Sequence, residues 1–403
     1  MNNIKDVVVA GAGIGGLSVA LGLAQQGVDV TVFEQANVLG EVGAGLQMSP
    51  NAMKVLRQLG LEDVLRPYAF EPKQATMRHF KSGEYYLKAP LGQAAIDRYG
   101  APYWHLHRAD LHRILVEACQ KAGVTIRLGA TVSGYQKSDQ NGSVVLRLLD
   151  GSEYETDLII GADGIRSVIR EQMLGKKAPD FMGQVAWRGV VPVASLKAVN
   201  IQPDACVWVG PGRHLVTYYV RGGEWVNFVA VEERGGWQSE SWREEGDINE
   251  LRSAFAGWHP EVTELLATAD STFLWALNGR SSLRTWFQGR VVLLGDACHP
   301  MLPFMAQGAA MAIEDAYVLV ASLMSKPLPD ALASYEIIRK PRTVRIQNMS
   351  KDNTGLYHMH GGLFGQMKLN AVKVASQFAP SVIQAKLDPV YGYDVVKAVA
   401  AWS

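Results

Sequence analysis

Cysteine is scarce in this chain of 403 residues: Cys119, Cys206 and Cys298 are the three, and no two form a CxxC pair. Neither a disulfide framework nor a thiolate zinc site is expected from so few, and the usage fits a reducing compartment. Excess charge of one sign is missing too. Lys plus Arg and Asp plus Glu each number 39, which argues against a polyanion-binding surface, so nucleic acid is not an expected partner. No apolar stretch runs for about 18 residues without interruption, so no membrane-spanning helix is expected. The opening MNNIKDVVVAGAG enters a strand almost at once and lacks the parts of a signal peptide. Together these absences lead to the expectation of a cytoplasmic protein with no membrane partner.

What is present is ordinary globular material, 48% hydrophobic and 19% charged. The chain is too long for one ordinary core, so two domains or one domain with insertions is the starting point. Residues 5–34 read as strand, turn, Ala/Leu-rich helix and strand, a βαβ unit. Helices are expected at 51–66, with Asn51 as a cap, and at 107–123, ended by Gly123. Asp150-Gly151 marks a hairpin. Between 181 and 285 short strands with Trp187, Trp208 and Trp225 read as a mostly antiparallel sheet, and Gly222-Gly223 marks a hairpin there. From about residue 308 onward the chain reads as helical.

Three glycine sites carry chemistry. The first is Gly11-Ala12-Gly13-Ile14-Gly15-Gly16, with Glu34 at the end of the next strand. Such glycines permit a tight turn, close approach of a pyrophosphate, and helix packing, and Glu34 can accept hydrogen bonds from a ribose. The helix N-terminus offers N–H groups and partial positive charge to phosphates. An ADP-containing cofactor is expected; the motif does not separate NAD from FAD. The second site, LIIGADGIRSVIR (158–170), ends a strand at Gly161 and brings Asp163-Gly164; a plain helix cap explains it equally well. The third, LLGDACHPMLPFMAQGAAMAIEDA (293–316), ends a strand at Gly295-Asp296 and opens a helix near Gly308. Strands of one sheet would line all three sites along a single carboxyl edge, where ligands bind. Asp296 would then meet the middle of a long cofactor. The Gly308 helix start would face a ring that carries negative charge when reduced.

With these motifs, together with HRADLH at 107–112 and PVYGYD at 389–394, the chain resembles the single-component FAD-dependent aromatic hydroxylases (class A flavoprotein monooxygenases) over nearly its whole length. Within them it is most similar to the salicylate hydroxylase branch, which includes 6-hydroxynicotinate 3-monooxygenase and 3-hydroxybenzoate 6-hydroxylase. The resemblance implies an α/β fold: an FAD-binding Rossmann-like domain from 1–180 plus 286–350, an inserted substrate-binding β-sheet domain at 181–285, and a helical tail at 351–403. It implies FAD held by Gly11, Gly13, Ile14, Gly15, Gly16, Glu34, Gln35, Ala44, Arg108, Val132, Asp163, Asp296, Gly308 and Ala309. NAD(P)H is implied as co-substrate, with a small aromatic acid and O2 as partners and no metal. A homodimer is the family expectation.

The implied reaction hydroxylates a salicylate-like or hydroxynicotinate-like ring through a flavin hydroperoxide, and expels carboxylate if attack falls on the carbon bearing it. Attack is faster from a deprotonated ring hydroxyl, so the site needs a base and a dry cavity. His214 is the base candidate, because imidazole titrates near neutral pH; a packed strand His is the plain alternative. Tyr218, four residues on, shares its strand face. Gln47 and Pro300 join them as catalytic candidates, and Phe304, Arg188 and Cys206 as pocket candidates. A buried structural thiol fits Cys206 at least as well, and an ordinary sheet salt bridge fits Arg188. His299 reads as structural.

Two departures bear on the substrate. In 6-hydroxynicotinate 3-monooxygenase the positions matching Gln47 and Phe304 are histidines. In 3-hydroxybenzoate 6-hydroxylase the first is Gln, as here, but a Gln-Tyr pair replaces Pro303-Phe304. Activity of the 3-hydroxybenzoate 6-hydroxylase type therefore stays open. So do a non-hydroxylating FAD-dependent NAD(P)H oxidase and a plain NAD-dependent dehydrogenase.

Overall fold

The β-branched runs Asp6–Ala10 and Asp29–Phe33 form parallel neighbours joined by the helix Ile14–Ala24, as the βαβ pattern predicts. The computed structural model describes residues 4–40, 44–138, 142–236, 245–360 and 362–400. Six strands make the first sheet, in the order Phe287–Gln288, Val291–Leu293, Leu158–Gly161, Asp6–Ala10, Asp29–Phe33, Thr125–Arg127. All neighbours are parallel except the outermost pair. Val7, Val9, Leu158, Ile160 and Val292 are wholly inaccessible. A parallel sheet covered on both faces demands such continuous apolar strands.

A second, eight-stranded sheet is antiparallel throughout except where Gln74–His79 runs parallel to Ala205–Gly210. The mostly antiparallel reading of 181–285 matches this sheet, but that segment is not the whole of it. Gln74–His79 and Tyr85–Pro90, from the first 180 residues, supply its edge. The 350/351 boundary also falls inside one continuous helix, Leu328–Tyr357.

Strand alternation gives the sheet two different faces. Trp187, Cys206, Trp208, Leu215 and Phe228 point into an apolar core with Phe255, Trp258 and Leu265. The other face carries Ala186, Arg188, His214, Tyr218 and Val231, by parity and strand register. Both expected hairpins form. Arg213–Val220 pairs with Trp225–Glu233 across Arg221–Gly223, and Val144–Leu148 with Glu153–Thr156 across Asp150-Gly151.

The helix expected at 51–66 is two pieces, Pro50–Gln58 and Glu62–Leu65, broken where Gly60 takes φ +75°. Ser49 occupies the cap position, not Asn51. Asn51 is buried instead, donating to Gln307 Oε1 (3.1 Å) and Glu314 Oε1 (2.6 Å). The helix Gly308–Ser325 is long and apolar enough by composition to cross a membrane, yet 67% of it is buried inside the protein. Its Glu314 and Asp315 pair there with Arg339, and Glu314 also with Arg342.

Candidate active site

Ala10, Gly161 and Leu293 sit side by side at the carboxyl ends of three adjacent parallel strands. The three glycine sites therefore share one edge, as their repetition in the sequence predicts. Gly11 has φ +105°, and a Cβ there would lie 2.5 Å from the Ala162 carbonyl oxygen. A Cβ on Gly16 would overlap the Gly11 carbonyl oxygen. Sterics thus require both glycines whether or not a ligand binds. Gly13 is different: a side chain there meets no protein atom within 4 Å. It heads the helix Ile14–Ala24, whose N-terminal N–H groups receive no side-chain cap. Glu34 accepts from the N–H groups of Ala12 and Ala36, both at 2.9 Å, and so fixes its carboxylate against this turn.

Asp163 makes the turn cap of its plain reading and leaves its second carboxylate oxygen without a protein partner. One oxygen accepts from the Ile169 N–H at 3.2 Å, as a turn cap does. The other, Oδ1, is buried with no hydrogen-bond partner, and burial raises the carboxyl above its usual range. Asp296 is exposed, although the protein crowds it enough to raise its carboxyl; burial is the largest cause, opposed by His299 and Arg108. A side chain aimed into a deep cleft satisfies both facts. Beyond it, Gly308 opens an 18-residue helix with free space in front and no side-chain cap.

These features fit FAD. Two uncapped helix N-termini face open space, an unpartnered carboxylate oxygen waits at Asp163, and Gly13 leaves room where a diphosphate would press. Ile14 and Gly15 lie in the first turn of the leading helix, and Ala309 follows Gly308. Ala44 accepts from the Arg108 N–H at 2.9 Å, bringing those two candidates together. Gln35 is exposed just beyond Glu34, and Val132 begins the strand Val132–Lys137.

Opposite the cleft stands the sheet face with His214, Tyr218 and Arg188. His214 is 1% exposed, and its ring meets Phe304 edge-on, centroids 4.8 Å apart. Burial, with a smaller contribution from the neighbouring His358, holds it well below the usual imidazole range. Tyr218 packs on His105 at 4.8 Å and presses so closely on Gly45 that any side chain there would collide with its ring. Burial raises its phenol, partly opposed by Arg188, so it stays protonated. Gln47 accepts from the Tyr103 hydroxyl at 2.6 Å.

Arg188 makes no ion pair among the described residues, contrary to the sheet salt bridge that would have explained it plainly. Its guanidinium lies over the Trp275 ring at 3.9 Å, and its Nε is buried without an acceptor. Burial lowers its pKa to about 10, so it remains a cation at neutral pH.

The loop holding Pro300 and Phe304 is pinned to one face of the long helix. Gln347 donates to the Pro300 carbonyl (2.8 Å), Ser350 to Leu302 (2.6 Å) and Tyr357 to Phe304 (3.3 Å). Spacings of three and seven residues put these donors on a single helical face. His299 donates from Nε2 to Asp315 at 2.5 Å, deep in the core, consistent with its structural reading.

One candidate falls away. Cys206 pairs with Thr217, on the face opposite His214 and Tyr218, and burial raises its thiol to about 12. Strand parity, not distance along the chain, removes it from the pocket. Other residues at the site were not singled out as site residues from the sequence, although Tyr391 lies within the PVYGYD stretch. His358 meets His214, Asn227 accepts from the Gly45 N–H at 2.7 Å, and Tyr391 packs on Tyr103 at 5.5 Å. The polar residues at helical spacing from 347 to 357 were the one signal available for the loop anchor.

The FAD binding domain family matches residues 5–350. The chain is 40% identical over 369 residues to 6-hydroxynicotinate 3-monooxygenase of Pseudomonas fluorescens, covering 88% of this chain and 93% of that protein. It is 36% identical over 361 residues to 3-hydroxybenzoate 6-hydroxylase 1 of Aquipseudomonas alcaligenes, covering 89% and 91%. Among solved structures, HpxO of Klebsiella pneumoniae complexed with FAD and uric acid superposes with a TM-score of 0.84 at 27% identity, covering 97% of this chain and 98% of that one. A salicylate hydroxylase substrate complex does so at 0.82 and 25%, covering 99% and 98%.

Proposed function

This chain belongs to the FAD binding domain family and is an FAD-dependent aromatic-ring monooxygenase; on that premise we propose that its substrate is a small hydroxylated aromatic or heteroaromatic carboxylate. Hydroxynicotinate-like and hydroxybenzoate-like acids lead, since the relatives named for them share this chain's length and pattern. The observation that carries the proposal is the placement on one sheet face of a half-buried guanidinium, Arg188, which has no carboxylate partner among the described residues and a buried, unsatisfied Nε, and a buried neutral imidazole, His214. An isolated buried cation is costly and calls for an anion. An imidazole on the same face, across the intervening strand, calls for a proton to accept.

Arg188 holds the substrate carboxylate in this reading, with Trp275 under its guanidinium limiting its motion. His214 takes the ring hydroxyl proton at Nε2, since Nδ1 is engaged by His358. A free phenol has a pKa near about 10, so a positioned base is needed near neutral pH. Phe304 stands edge-on to His214 and keeps water from the reacting ring. Tyr218, held protonated, donates a hydrogen bond to the substrate. Gly11, Gly13, Gly16, Glu34, Asp163, Asp296 and the Gly308 helix start would hold FAD, and Arg108 lies near enough to both Asp296 and Arg188 to act on their charges. When bound, FAD would supply the redox chemistry, passing two electrons from NAD(P)H to O2 so that one oxygen atom enters the ring and the other leaves as water.

The test is a panel of hydroxybenzoates and hydroxynicotinates screened for stimulated NADH and NADPH oxidation, with products identified by mass spectrometry. A hydroxylated product at one turnover per reduced nucleotide is expected. Oxidation matched only by hydrogen peroxide release across the panel would reject the substrate class in favour of an oxidase.

A further inference from the structure

A buried histidine that receives a proton must pass it on, or carry a charge its surroundings oppose. His214 does not stand alone. Its Nδ1 lies 2.7 Å from His358 Nε2. His358 Nδ1 lies 2.5 Å from Glu233 Oε1, and His360 Nε2 lies 2.5 Å from the same oxygen. Exposure rises along this line: His214 and His358 are buried, the Glu233 side chain is 37% exposed and that of His360 50%. The outer end opens on a cleft of about 460 Å³ lined by Met182, Gln184, Glu233, Arg234, Thr354 and His360.

We propose that His358 and Glu233 form a proton relay that carries the substrate proton from His214 to solvent. The proposal rests on the reading of His214 as the base.

The carboxylate at the far end sets the direction of every hydrogen bond. Ionised Glu233 only accepts, so His358 donates from Nδ1. Neutral His358 then has a lone pair at Nε2, so His214 must donate from Nδ1. That leaves a lone pair on His214 Nε2, turned away from His358 and available to the substrate hydroxyl. The carboxylate thereby fixes the base tautomer through two rings. When the phenol O–H breaks, a bond forms at His214 Nε2. The Nδ1 proton of His214 passes to His358 Nε2, and the Nδ1 proton of His358 to Glu233 and then to water. No imidazolium has to persist in the buried site.

The backbone holds the relay in register. The Gly212 N–H donates to the His358 carbonyl at 3.0 Å, and the Glu233 N–H donates to the Gly212 carbonyl at 3.1 Å. The other charges on these strands are engaged beside it: Arg213 and Arg234 both pair with Glu232. Burial lowers both His214 and His358, while His358 and His360 together hold Glu233 below the usual carboxylate range against its own burial. These shifts keep the resting relay in the state the tautomer argument needs.

The experiment uses the FAD-loaded enzyme with isotope-labelled histidine. Nitrogen chemical shifts near neutral pH should report the Nδ1–H tautomer for both His214 and His358, with no substrate present. Glu233→Gln should scramble the two tautomers. It should also slow the proton release seen with a pH-indicator dye on mixing with 3-hydroxybenzoate or 6-hydroxynicotinate, by about tenfold or more. An Nε2–H tautomer at His214 in the parent enzyme overturns the relay, as does Glu233→Gln with parental tautomers and parental proton release. Should Glu233→Gln fail to fold, the parental tautomers decide. Hydroxylation with the wrong tautomer rejects the relay alone; the right tautomers without hydroxylation of any panel acid reject the substrate reading alone.

Discussion

The imidazole of His214 lies 2.7 Å from that of His358, although 144 residues of chain separate them. One stands on a central strand of the eight-stranded sheet, the other at the end of the helix Leu328–Tyr357. The same helix pins the Pro300–Phe304 loop. A single long helix thus links the sheet face that carries His214 to the loop beside the proposed cofactor cleft.

Removing the proposed base tests its role. His214→Ala is expected to retain FAD and to lose hydroxylation by about 10²-fold or more, the range usual for a general base. Turnover numbers and the flavin spectrum of the purified variant check it. Unchanged turnover would move the base elsewhere.

The carboxylate partner is tested by splitting binding from chemistry. Arg188→Met should cost about 1.5–3 kcal/mol of transition-state binding, the worth of a charge-assisted hydrogen bond. The loss should appear in kcat/KM for a hydroxybenzoate and nearly vanish for the matching phenol without a carboxylate. Equal losses for both would show that Arg188 holds something else.

Two glycines in one motif should behave differently. Gly16→Ala forces a Cβ into the Gly11 carbonyl oxygen and should destabilise the protein by about 1–3 kcal/mol, as overpacking does. Gly13→Ala meets no protein atom, so the apoprotein should melt as before. Its FAD affinity should nevertheless fall by about tenfold, or 1.4 kcal/mol. Thermal melts with and without FAD separate the two effects.

Much of this site was legible in the sequence. Strands buried on both faces read as unbroken apolar runs, and each ends abruptly at glycine, two of them with an aspartate just after it, so the shared edge followed from the repetition of that pattern. What depended on register was not legible. Cys206 sits near the His214 strand in sequence, but the Gly210–Arg213 turn pairs Val209 with His214, which turns Cys206 to the far face. Asn51 looked like a helix cap because that is what asparagine does before an apolar run. Its actual partners, Gln307 and Glu314, come from a distant helix, and no local pattern announces them. His358 was hidden for the same reason.

The buried charge cluster on that helix should be costly to break. Burial alone would raise the Glu314 carboxyl, but Arg339 and Arg342 hold it below its usual range. Arg339→Met leaves Glu314 and Asp315 short of a partner in a site with no exposure. The expected destabilisation is about 3–5 kcal/mol in denaturant unfolding.

Acid should unfold the protein early. Burial holds His105 at about 3, against an ordinary value of 6.5, so the unfolded chain binds that proton first as pH falls. Stability is then full above pH 6.5 and declines from there towards pH 3. His214 and His358, also lowered by burial, add in the same direction. His105→Phe should flatten the acid limb of a plot of melting temperature against pH.

The central claim is that the chain places one oxygen atom of O2 on the ring of a hydroxylated aromatic acid. Turnover under isotopically heavy dioxygen, with NAD(P)H and the acid from the panel that best stimulates its oxidation, tests it most directly. The account predicts a product heavier by a single labelled oxygen atom. An unlabelled product, or label found only in hydrogen peroxide, would contradict it.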